Sequence, residues 1–77
     1  MSREEQIIRK RIAKIQDNMD SIIDYEVESE TAGVPISEYE RKQNDKRWGE
    51  LFDRKVELVD ILAEIMKVDY MTAYHSL

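Results

Sequence analysis

Trp48-Gly49-Glu50-Leu51-Phe52-Asp53-Arg54-Lys55-Val56-Glu57-Leu58-Val59-Asp60-Ile61-Leu62-Ala63-Glu64-Ile65-Met66 is the stretch around which the rest of the chain is organised. Trp48, Leu51, Leu58, Leu62 and Ile65 are separated by three, four or seven residues, so they fall on one stripe of a helix. A second row, Phe52, Val56, Val59, Ala63 and Met66, keeps the same spacing beside it. Apolar side chains therefore cover more than one face, and a single partner helix buries only one row. A further segment, or a second copy of the chain, is expected on the other.

Size sharpens that expectation. A chain of 77 residues makes one domain, and at this length folding hides only about 60% of the unfolded surface, which leaves a thin core. Self-association into a helical bundle is expected, as a homodimer whose interface is Phe52, Val56, Val59 and Met66 unless the tail covers that row. Seventeen acids against twelve bases give a net charge of -5, which disfavours nucleic-acid binding through the whole surface. There is no cysteine, hence no disulfide or thiolate chemistry, and a reducing cytoplasmic location is expected. The opening MSREEQIIRKRIAK lacks the apolar core of an export signal, and no run approaches the roughly 18 apolar residues of a membrane span.

In chain order, Ser2 and Glu5 form a capping box that starts a first helix, expected over about 2–30. Ile8, Ile12, Ile15, Met19 and Ile22 then alternate steps of four and three, a seam of coiled-coil type. Acids crowd the segment Glu26-Val27-Glu28-Ser29-Glu30, facing the negative end of the helix dipole, so fraying is expected from about Val27. Gly33 and Pro35 end the helix, and the turn is expected at 31–36. Ser37 and Glu40 make a second capping box for a helix over about 37–67, whose first half carries no apolar stripe except Tyr39. Asp69 is placed to cap a short third helix over about 69–77, with Tyr70, Tyr74 and Leu77 expected to dock on the second row. The predicted fold is an all-α antiparallel hairpin with a short C-terminal helix.

The two seams match in register. Facing positions of an antiparallel pair have a nearly constant sum, and Ile8 with Leu62, Ile12 with Leu58, Ile15 with Lys55, Met19 with Leu51 and Ile22 with Trp48 all total 70. Lys55 is the one polar intrusion. Ser21 and Gly49 share that total, so the glycine is expected to let the backbones approach beneath the indole, a kink being the alternative. Charge agrees on direction: Arg3 to Lys14 carries +3 and Gln16 to Glu30 carries -6, against +1 for Ser37 to Arg47 and -2 for Trp48 to Lys67. Antiparallel pairing sets unlike blocks side by side.

The segment from Leu62 to Leu77 resembles the helix-turn-helix pattern of DNA-binding regulators, with small Ala63, apolar residues flanking the turn, and the polar cap Asp69. It departs from that pattern where Lys67 replaces the usual glycine and where Tyr70 to Leu77 offers no arginine or lysine to grip phosphate. His75, the one histidine, has no companions at zinc-site spacing, so no metal or cofactor is predicted. Arg9-Lys10-Arg11 with Lys14 is expected to be a solvated basic face with acids near it across the hairpin. Asp17, Asp20 and Asp24 lack a nucleophile or a phosphate loop beside them, and no catalytic residue is predicted.

The function expected is therefore that of a small non-enzymatic protein–protein interaction module or regulator, of the kind adaptors and phage-type inhibitors represent. Its partner would be a protein, met through an acidic hairpin tip comprising Tyr25, Glu26, Glu28, Glu30 and Tyr39, or through the second row of helix 2. Two alternatives of other classes are a DNA-binding regulator using 62–77, and an all-helical enzyme whose site joins Arg11 with acids of a neighbouring copy.

Overall fold

The computed structural model describes residues 2–77 and contains three helices, α1 (Arg3–Thr31), α2 (Glu38–Met66) and α3 (Tyr70–His75). Each N-terminus is capped by the residue the sequence marks. Ser2 accepts from the Glu5 N–H and Ser37 from the Glu40 N–H, both at 3.1 Å, and Asp69 accepts from the Thr72 N–H at 2.7 Å. The long helices have 29 residues each, about 43 Å of α-helix, and the molecule measures 47 × 18 × 18 Å. It is an antiparallel hairpin of two full-length rods. No strand occurs among the described residues.

The α1 seam is buried as expected, with Ile12, Ile15, Met19 and Ile22 all nearly inaccessible. Its tightest packing lies away from the turn, where Ile12 meets Val59, Leu62, Ala63 and Ala73, flanked by Ile8, Leu58, Met66 and Tyr70. Polar bonds across the hairpin keep the anticipated register: Lys55 Nζ donates to Gln16 Oε1 at 2.6 Å, and Asn44 Nδ2 to Glu26 Oε1 at 3.3 Å. Lys55, the intrusion, thus leaves the seam sideways, and its ammonium also stands 5.0 Å from the centre of the Tyr74 ring.

Three local expectations are corrected. α1 does not fray at Val27 but runs to Thr31. Its end is held by Thr31 Oγ1 donating to Val27 O, and by a closing loop in which the Gly33 and Val34 N–H groups donate to Glu30 and Ser29 carbonyls. Gly49 does not serve a close backbone approach, because a Cβ placed there would meet nothing within 4 Å. α3 is anchored by Ala73, fully buried, with Tyr70 against the core, whereas Tyr74 and Leu77 keep 39% and 50% of their surface exposed. A small residue lets the short helix approach α2 closely, and the aromatic rings flank that contact rather than fill it.

Lys67 makes the turn between α2 and α3 at φ 59°, ψ 44°, the one described non-glycine residue with positive φ. The Val68 N–H reaches back to Ala63 O and the Lys67 N–H to Glu64 O, the same Schellman closure that Gly33 makes for α1. Arg9 locks the tail from the other side, donating to the Ser76 carbonyl and hydroxyl at 3.0 Å each while paired with Glu5 at 3.3 Å.

Candidate interaction surfaces

The predicted partner-binding residues separate into two groups. Tyr25 and Tyr39, from different helices, come to the rim of one open cavity of about 470 Å³ with Asn18, Gln43, Asn44 and Arg47. Tyr25 is half exposed and Tyr39 is 72% exposed. The Tyr25 hydroxyl donates to Glu40 Oε2 at 3.3 Å, which ties that ring to α2.

The acids are spread about the helix instead of forming one patch. Glu26 accepts from Asn44, and Glu30 lies 3.7 Å from Arg41. Both are thus engaged in closing the hairpin; the Glu28 side chain has no hydrogen bond or ion pair within the described residues. Four acids at alternate positions 24, 26, 28 and 30 point in successive directions around a helix, because each step of two turns the side chain by about 200°. Alternation in sequence gathers side chains on one side of a strand and disperses them on a helix.

The proposed oligomer row also divides. Val59 has no exposed surface, and Met66 packs against the core beneath the tail. This corrects the placement of Val59 and Met66 at a dimer contact, since α3 already covers that end of the row. Phe52 remains 42% exposed and Val56 partly so. Phe52 stacks on Trp48, ring centres 5.5 Å apart and nearly parallel, and the indole N–H is buried with no acceptor among the described residues. Such a donor costs about 1–3 kcal/mol.

The basic residues sort differently from expectation as well. Arg9 is a structural clamp, as described above. Arg11 and Lys14 are exposed, as expected of a solvated face, and pair with no acid among the described residues: they line a groove with Arg54, and Arg47 joins Arg54 along its continuation. No three histidine, aspartate or glutamate side chains converge on a metal position among the described residues, and no described helix is long and apolar enough to cross a membrane. α3 has six residues and presents Met71 and Tyr74 outward. No protein-family model, curated protein or solved structure significantly matches this chain.

Proposed function

We propose that this chain is a protein–protein interaction module that offers the Tyr25–Tyr39 cleft at its hairpin tip to a protein partner, without chemistry of its own. The observation that carries the reading is the exposure of two tyrosines from separate helices around one cavity, since aromatic side chains at a concave site are the commonest anchors of protein interfaces. The shape supports it. The accessible surface is 5857 Å², whereas a compact monomer of this mass exposes about 4,900 Å². The surplus is on the order of the 800 Å² per partner that a standard interface covers. The Glu28 carboxylate, which pairs with nothing among the described residues, favours a partner with a basic rim.

Self-association through Phe52 and Val56 is part of the proposal, favoured by the exposed stacked pair of Phe52 with Trp48. So is a cytoplasmic setting, which suits the density of charge, 29 ionised acids and bases among 77 residues.

The test is affinity capture from the native host with wild-type protein and with Tyr39→Ala, followed by titration of the recovered partner. Tyr39→Ala is expected to weaken binding by more than about 1 kcal/mol with the melting temperature unchanged, because the ring contributes little to the core. Retained affinity in Tyr39→Ala, and in a charge reversal of Glu26, Glu28 and Glu30, would remove the tip from the interface. Light scattering at high micromolar concentration checks the dimer, and a monomeric mass there refutes it.

A further inference from the structure

We propose that the groove between α1 and α2 on the side away from α3 is a docking site for an acidic amphipathic helix of a partner protein. The site adjoins the tip cleft, with which it shares Arg47 at one end, but it prefers the opposite charge and does not depend on the tip reading.

Its rims are cationic on both sides. Arg11 and Lys14 stand on α1 and Arg54 on α2, above a floor of Ile15, Leu51 and Leu58. Arg47 extends the α2 rim, with Glu50 the one acid beside it. All four cations are exposed, and none lies within ion-pair distance of a carboxylate among the described residues, although the molecule as a whole is acidic. Like charges gathered without partners disfavour the free state and favour an anionic ligand.

The floor narrows the choice of ligand. Leu51 and Leu58 are only partly covered by the hairpin itself, so the groove offers an apolar strip with a basic edge on either hand. That pattern matches a helix carrying one apolar ridge flanked by carboxylates. A single-stranded nucleic acid would want rings to stack on, yet the floor is aliphatic, and no aromatic residue lines the groove or its continuation. The hairpin also accepts a helix on its opposite side, where α3 lies against Val59 and Ala63 through Ala73. From Arg54 to Arg47 the α2 rim runs two turns, about 10 Å, enough for carboxylates at positions i, i+4 and i+7 of a docked helix.

The probe is a fluorescein-labelled synthetic 18-residue helix with leucines at three- and four-residue spacing and glutamates on both flanks, measured by anisotropy against the full chain. Its controls are the same peptide with every glutamate changed to glutamine, and a labelled 12-nucleotide single strand. The acidic peptide is expected to bind at micromolar concentration and to weaken as salt rises. The pair Arg11→Glu with Arg54→Glu should weaken it by about tenfold or more. Arg11→Gln with Arg54→Gln should give a smaller loss in the same direction, and it keeps the test valid if the reversed pair folds poorly. Tyr39→Ala should leave peptide binding unchanged, which separates this site from the tip. The proposal is overturned if the acidic and glutamine peptides bind alike, if both Arg11/Arg54 variants retain full affinity, or if the single strand binds more tightly than the peptide.

Discussion

Val59→Ala distinguishes a residue sealed inside one chain from a residue waiting for a second copy. Val59 is fully buried and touches the cluster that Ile12, Leu62, Ala63 and Ala73 build. Truncation removes two carbons from that contact, about 1.6 kcal/mol of transfer free energy at roughly 0.8 per buried CH₂. The void left, on the order of 50 Å³ before relaxation, adds up to about 1.2 kcal/mol. A loss of about 1.5–3 kcal/mol is expected. For a domain of this size, with about 4–12 kcal/mol of total stability, that is a large share, and it lowers the melting temperature by roughly 6 °C or more. Urea unfolding followed by circular dichroism measures it, run at two protein concentrations twentyfold apart. The loss should be the same at both, because the contact is made within the chain. Val27→Ala, the same substitution at a 55% exposed site, should change stability by under about 0.5 kcal/mol. A loss at Val59 below that size would refute burial under α3, and a loss that depends on concentration would put Val59 at an interface between copies.

Further expectations follow from the backbone and from one carboxylate. Gly49→Ala places its methyl in open space and should stabilise the hairpin by about 1 kcal/mol; a lower urea midpoint would show that something packs against this position in solution. Lys67→Gly relieves a left-handed conformation that costs a side-chain-bearing residue about 1–2 kcal/mol, offset by the glycine's greater unfolded entropy of about 0.5–1 kcal/mol. The net gain should be about 0.5–1 kcal/mol, and a destabilised variant would mean the turn is held differently. Hydrogen bonds from Thr72, its side chain first and its backbone N–H second, hold the Asp69 carboxyl below its ordinary value of 3.8. A lowered folded value means the contribution is complete above that ordinary value and disappears as pH falls through the lowered one. The near-ultraviolet signal of Tyr70 and Tyr74 should therefore be flat from neutrality to about pH 5 and weaken only in stronger acid, and Asp69→Asn should abolish that acid transition; an identical transition in the variant would exclude Asp69 as its origin.

What the sequence determined by itself is what short-range rules govern. Three caps, the helix end at Gly33 and the pairing of Ile8–Ile22 with Trp48–Leu62 were legible because each depends on residues within one turn or on a strict repeat. The tyrosines of the tip were legible as exposed aromatic residues in a hydrophilic stretch. Only the tertiary structure decided which apolar row stays free: Val59 and Phe52 share one helical stripe, yet one is sealed and the other open, since α3 ends before reaching Phe52. It also decided the fate of the charges. Block totals placed Arg11 near an acidic stretch, but Arg54 is the charged α2 residue that lines the groove with it and Arg47, seven residues away, lines the continuation, while Asp53, Glu57 and Asp60 do not line that groove. Arg9, adjacent in sequence to the same basic run, turns to the opposite side and clamps Ser76. A sum along the chain carries no angle, and in a hairpin of two helices the angle around each axis decides which charges meet.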